Sequence, residues 1–288
     1  MKLLIAFLIC AFAAAQDIST EPTVAYGHGT IILLLASQAD AVLASDGKVE
    51  DVGPGAPTGE NETDQCKLFV LNNRTAAAVA GISYSVHPTA HEYDWTMKTV
   101  MNYIAKPVPV HGEDVDTTAQ RWGNRLKQLF SLDPPDTLTA IAASSGGSLD
   151  TSVFVSINAN RTITYAAERV TGEPDGAQLK FNTLKLPSGP VSQPNVTAIF
   201  IGGGGSKFLG SYLESPSERT LEDANLANSI HAPMDALTMD KMAIHLIQIA
   251  IKRSSGSLRG PIHLLHVRGA GGMRWQNGDT CSTLEPAR

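Results

Sequence analysis

Apolar runs of strand length and stretches of helical period arrive in blocks along this chain, and their order limits the fold more than any other feature. Ile31 to Ala36 and Ala41 to Ser45 are short apolar runs around Gln38-Ala39-Asp40, which reads as a hairpin. Lys67 to Leu71 and Thr75 to Ala80 read as a second hairpin around Asn72-Asn73-Arg74. Between the two, Glu50 to Asp64 is rich in Pro, Gly, Thr and acids and is expected to be an exposed loop. The last of these four strands, Thr75-Ala76-Ala77-Ala78-Val79-Ala80-Gly81, is made almost entirely of small residues, which suits close packing against another backbone.

The period then changes. Tyr93, Met97, Val100, Met101 and Ile104 recur at helical spacing, ending before Pro107. Val115, Ala119, Trp122, Leu126 and Leu129 form one stripe of a second helix that stops before Pro134-Pro135. Strands are expected at Leu138 to Ala143, Ser152 to Ile157, Ile163 to Ala167 and Val196 to Ile201, the last running into Gly202-Gly203-Gly204-Gly205. Helices follow at about Ser206 to Glu214 and Thr238 to Arg253, then a strand at Ile262 to Val267. Helices that come in pairs after runs of strands argue against alternating βαβ units and for an antiparallel α+β layout. Two helix pairs covering the outer faces of two stacked sheets give a four-layer αββα sandwich.

The first residues read as an address. Met1-Lys2 is a short basic start, Leu3 to Ala15 is apolar, and Ala13-Ala14-Ala15 offers small residues at a cleavage site. That is the pattern of a secretory signal peptide over residues 1–15, too short for a comfortable membrane span. What remains is about 270 residues, enough for one large domain or two small ones. Charged residues make up 17% and the net charge is −6, with neither sign gathered into a block. Scattered cations with few aromatics among them do not suggest a nucleic-acid partner. Cys66 and Cys281 survive signal removal, and in an oxidising compartment they suggest one disulfide, two free thiols being the alternative. Asn61, Asn73, Asn160 and Asn195 head glycosylation sequons.

Thr30 follows Gly29 at the head of the first apolar run; Asp46 comes sixteen residues later, and Lys67 stands fourteen residues before Gly81. Taken singly, these are a turn into a strand, an Asp-Gly turn and a solvated cation. Taken together they can do chemistry. A threonine hydroxyl is a poor nucleophile while it holds its proton. If the Gly29–Thr30 bond is cut, the freed α-amine of Thr30 can serve as base to its own hydroxyl. The cut can be self-made, because the hydroxyl can attack the Gly29 carbonyl to give an ester that water resolves. A desolvated Lys67 would ease loss of the hydroxyl proton, Asp46 would hold the lysine charge, and the Gly81 N–H is a natural oxyanion donor.

From Thr30 to Gly81 the chain resembles the proteasome β-subunit family within the N-terminal nucleophile (Ntn) hydrolases. The intervals from Thr30 to Asp46 and from Lys67 to Ala80-Gly81 match that family, with a short insertion in the Pro/Gly loop before Lys67. The resemblance implies the Ntn-hydrolase fold, a propeptide over residues 16–29, a mature domain over 30–288, and Thr30, Asp46 and Lys67 as catalytic residues. The chain departs from the pattern in two turns. The family's serine within the glycine turn before its third helix can only be Ser206 here. The family's Asp-and-Ser motif after its fourth helix is replaced by Ser254-Ser255-Gly256-Ser257, which has no aspartate, leaving Ser255 or Ser257 as substitutes. A signal peptide and glycans do not suit a closed proteolytic ring.

Other motifs are weaker. Gly202 to Gly205 lacks the ending of a phosphate-binding Walker loop. His87 with His91, and His263 with His266, have no completing ligand pattern for zinc. The glycosylasparaginase group also cleaves before a threonine, but there the nucleophile follows a long N-terminal subunit. The expectation is a secreted, self-processing threonine hydrolase acting on the amide bond of a peptide or small amide, with no cofactor or metal and no nucleic-acid or membrane partner. Its rival is a decayed domain of the same fold that works by binding.

Overall fold

Ile31 to Ala36 is apolar at every position rather than alternating, and the computed structural model shows why: both faces of this strand are covered. The structure describes residues 25–29, 31–52, 63–64, 66–86, 93–105, 114–132, 135–176, 178–194, 198–214, 236–254 and 258–276. Strand β2 (Ile32–Ala36) pairs antiparallel with β3 (Asp40–Asp46), the hairpin expected around Gln38-Ala39-Asp40. On one face Ile31, Leu33, Leu35, Val42 and Ala44 pack under helices; on the other Ile32, Leu34, Ala41 and Leu43 pack against a second sheet. Each of the Ile, Leu and Val side chains, fully removed from water, contributes about 1.5–3 kcal/mol.

The two strands belong to a five-stranded sheet that also holds β13 (Ala198–Gly202), β14 (Ile262–Arg268) and β15 (Gly272–Trp275), in the order β13-β2-β3-β14-β15. The second sheet has ten strands and the path β11-β10-β9-β7-β1-β4-β5. These are β1 (Ala25–Gly29), β4 (Lys48–Val52), β5 (Thr63–Asp64), β7 (Thr75–Val86), β9 (Ser148–Ile157), β10 (Ile163–Asp175) and β11 (Gln178–Lys185). Off the path, β6 (Leu68–Val70) and β8 (Tyr93–Thr96) pair with β7, and β12 (Gly189–Pro190) pairs with β10. Every pairing is antiparallel. The layout is therefore mixed α+β with two antiparallel sheets, compatible with a sandwich.

The alanines of β7 are divided between two interfaces. Ala76, Ala78 and Ala80 face the five-stranded sheet, while Ala77 and Val79 lie beneath helices. Over that outer face pack α1 (Met97–Ala105), α2 (Val115–Phe130) and α3 (Pro135–Ser144). Val115, Ala119, Trp122, Leu126 and Leu129 are all buried, as their stripe predicts, and Trp122 meets Phe154 of β9 edge-on at 6.3 Å between centroids. Asp114 caps α2 by accepting the Asp116 N–H at 3.2 Å. On the outer face of the five-stranded sheet lie α4 (Ser206–Glu214) and α5 (Ala236–Arg253).

Several expectations are corrected. Leu138 to Ala143 is the centre of helix α3, not a strand: Leu138, Ile141 and Ala142 are buried while Thr139 and Ala140 are exposed, which is helical spacing. Pro135 at the first helical position favours that start. Tyr93 belongs to β8, and α1 starts only at Met97. The expected loop from Glu50 to Asp64 keeps Glu50 to Val52 in β4 and holds β5 at its far end, because β1 supplies a backbone ladder to β4. Besides β4, β5 and β8, the strands β1, β11, β12 and β15 have no counterpart in the expectations from sequence. Residues 1–24, with the signal-peptide segment, lie outside the described residues.

Candidate active site

Asp46 is the last residue of β3, where the strand has reached the end of the inter-sheet layer, and it is 0% exposed. Lys67 immediately precedes β6, with its carbonyl accepting the Val79 N–H of β7 at 3.0 Å, and it is 3% exposed. The lysine Nζ lies 2.6 Å from Asp46 Oδ1. The same oxygen accepts the Ile31 backbone N–H at 3.2 Å. A buried lysine of this kind needs a carboxylate, because an unpaired ammonium in an apolar interior is strongly destabilised. One carboxylate oxygen thus holds both the lysine and the backbone at the head of β2.

That backbone position is where the chain changes sheets. Gly29 ends β1 in the ten-stranded sheet, opposite Val49 of β4, whereas Ile32 opens β2 in the five-stranded sheet. Thr30 itself lies outside the described residues. Strand β1 runs between β4 and β7, with a register irregularity between Gly27 and His28. The segment read as a propeptide therefore contributes an interior strand.

Gly81 interrupts β7 with φ +135°, a backbone that side-chain-bearing residues rarely adopt. It sits opposite Asp150 of β9, and a Cβ here would stand 2.4 Å from the Leu149 carbonyl oxygen. Only glycine fits. Gly205, in the turn before α4, has a comparable restriction: a Cβ would come 2.9 Å from the Ile31 Cβ and 3.0 Å from Leu258 Cδ1. The glycine turn is thereby pressed against the head of β2. Ser206, which follows it and opens α4, lines a cavity of about 320 Å³ together with Gly81. The structure thus joins Asp46, Lys67, Ile31 and Gly205 by direct contacts, and Ser206, next to Gly205, lines one cavity with Gly81.

The turn after α5 returns to the same place. Ser254 Oγ accepts the Leu258 N–H at 3.0 Å and donates to the Ile251 carbonyl at 2.8 Å, and Leu258 packs on Gly205. Ser255 and Ser257 lie outside the described residues, as do Cys281, Asn61 and Asn195. Cys66 is half-buried beside Lys67. Asn73 and Asn160 are exposed in turns.

Three polar side chains near Gly81 carry no signal in the sequence. Burial pushes the Asp150 carboxyl well above its ordinary 3.8, partly offset by the Thr151 N–H donating to Oδ1 at 2.9 Å, and its Oδ2 has no partner. Arg169, on β10 opposite Thr151, and Lys207, on the first turn of α4, both line the cavity. Elsewhere, His266 lies 3.9 Å from both Asp40 and Asp240; burial lowers its imidazole below 6.5 despite those carboxylates. Among the described residues no three His, Cys, Asp or Glu side chains converge as metal ligands. The chain matches no protein-family model and no curated protein.

Proposed function

We propose that this chain is a secreted threonine hydrolase of the Ntn type, a four-layer αββα sandwich that cuts itself between Gly29 and Thr30 and then acts on amide bonds. One observation carries the reading: the buried Lys67–Asp46 pair whose Asp46 Oδ1 also holds the Ile31 N–H, one residue from the threonine. A lysine buried close to the point where the chain changes sheets fits activation of an adjacent hydroxyl.

In the first step the Thr30 hydroxyl attacks the Gly29 carbonyl, the C–N bond of Thr30 breaks, and an ester replaces the amide. Water then cleaves the ester, leaving a carboxylate on Gly29 and a free amine on Thr30. That amine takes the hydroxyl proton when the threonine attacks a substrate amide and passes it to the leaving nitrogen. Gly81 lends its N–H to the oxyanion. Water hydrolyses the acyl ester and restores the threonine. Strand β1, running between β4 and β7, stands where the acyl side of an extended peptide would pair with both strands. Ser206, with Ser255 or Ser257, replaces the polar groups that orient the amine in the family the chain resembles. Cys66 pairs with Cys281, and Asn61, Asn73, Asn160 and Asn195 carry the glycans.

The intact mass of the secreted protein tests the first step. A chain beginning at Thr30 is expected, and Thr30→Ala should retain residues before it. A wild-type chain beginning near Gln16 would overturn self-processing and leave the alternative of a binding domain, which the lack of an aspartate in the Ser254–Leu258 turn favours.

A further inference from the structure

The described lining of the cavity beside Gly81 lies on the β9 side of β7, whereas β1 pairs with β7 on its other edge. In the ten-stranded sheet β7 has β1 on one side and β9 on the other, and the cavity is lined from β7, β9, β10, the end of α3 and the start of α4. If the residues before the cut lie along β1, this space is on the leaving-group side of the scissile bond.

Its chemistry has one sign. Arg169 and Lys207 line it, and among the described residues no carboxylate does. Ion pairs among the described residues join Lys67 to Asp46, Lys185 to Asp116 and Arg268 to Asp40, and neither cavity cation takes part in one. The Arg169 Nε is buried and makes no hydrogen bond, although an arginine fork offers five donors. The side chain as a whole is only partly buried and lines the cavity, so the remaining donors of its fork are the ones a ligand oxygen could meet. Thr151 and Ser206 also line the cavity, adding hydroxyls, and Ser206 begins a nine-residue helix whose dipole also favours negative charge there. Burial raises the pKa of the Asp150 carboxyl beside Gly81, which disfavours its anionic form.

We infer that this cavity binds a carboxylate, and that the substrates are amides whose leaving group carries one, as the C-terminal residue of a peptide does. Arg169 is the specificity-determining residue, engaging the carboxylate through its fork, while Lys207 closes the cavity from the solvent side. The substrate class rests on the threonine-hydrolase reading; the anion site itself does not.

The test therefore begins with binding. Succinate and its uncharged diamide, succinamide, are titrated into the secreted full chain by calorimetry or NMR. Succinate is expected to bind saturably and succinamide not at the same concentrations, with succinate weakened about ten-fold in Arg169→Met, the loss of one charge-assisted contact. Lys207→Gln, at an exposed position that leaves the fold untouched, should weaken succinate by a smaller factor. Equal binding of the two probes, no binding of succinate, or unchanged affinity in both variants overturns the anion site. Should Arg169→Met fail to fold, Lys207→Gln decides. The second arm compares hydrolysis of one peptide with a free or an amidated C-terminus. A preference of about ten-fold in kcat/KM for the free acid, lost in Arg169→Met, is expected, and equal rates overturn the substrate class. A chain that binds succinate yet never cuts before Thr30 sinks the hydrolase reading and leaves the anion site standing.

Discussion

Asp46 accepts two bonds at one oxygen, and those bonds have different consequences when broken. Removing Lys67 strands a buried carboxylate, which costs about 3–5 kcal/mol where such pairs have been broken. Replacing Asp46 by asparagine in that background removes the charge but keeps an acceptor for the Ile31 N–H. Lys67→Met is therefore expected to lower unfolding stability by about 3–5 kcal/mol, and Lys67→Met with Asp46→Asn to recover most of it. Denaturant unfolding checks this, and the double variant is expected to retain residues before Thr30 in its intact mass. A double variant no more stable than the single one would mean that packing, not charge, dominates the site. Asp150 gives a pH dependence of definite sign. Its folded pKa is raised above 3.8, so between 3.8 and the higher value the folded chain holds a proton that the unfolded chain has lost. Its contribution is full below 3.8 and is lost as pH rises through that window. Asp150→Asn should flatten this fall in a series of unfolding curves from pH 3.5 upward; an unchanged slope would assign the fall to other groups.

Elements differed in how much of themselves they displayed. The β2–β3 and β6–β7 hairpins, α2, α4, α5 and β14 are legible because each has either a run of apolar residues bounded by turn residues or a stripe of helical period. Helix α3 is ambiguous locally, since Leu138 to Ala143 is a short apolar run and only its docking on β9 and β10 separates the two periods. Strand β1 could not be read, because Ala25-Tyr26-Gly27-His28-Gly29 has two glycines and no β-branched residue. It is a strand because β4 and β7 offer backbone partners on both sides. Strand β11 shows the same dependence: it extends the sheet by pairing along β10 from Glu168 to Asp175, with Lys180 and Lys185 among its residues.

At the scale of the whole molecule, two sheets bury one apolar layer between them and present their outer faces to helices, so the termini of many strands gather at shared ends. One covalent link bears on that arrangement. Cys66 stands next to Lys67, and a bond from it to Cys281 would close most of the mature chain into a loop. Non-reducing peptide mapping is expected to join Cys66 to Cys281, and reduction to lower stability by about 2–4 kcal/mol. Two unlinked cysteine peptides would disprove the pairing. By itself the sequence determined the identities and intervals of Thr30, Asp46, Lys67 and Gly81 and the order of strand and helix blocks, because these depend on residue type and local period. Only the tertiary structure decided that Asp46 and Lys67 meet in the interior, that Gly81 permits no side chain, and that Arg169 and Lys207 face one cavity with Ser206. Those relations join residues far apart in the chain, and they exist only once two sheets and their helices have packed.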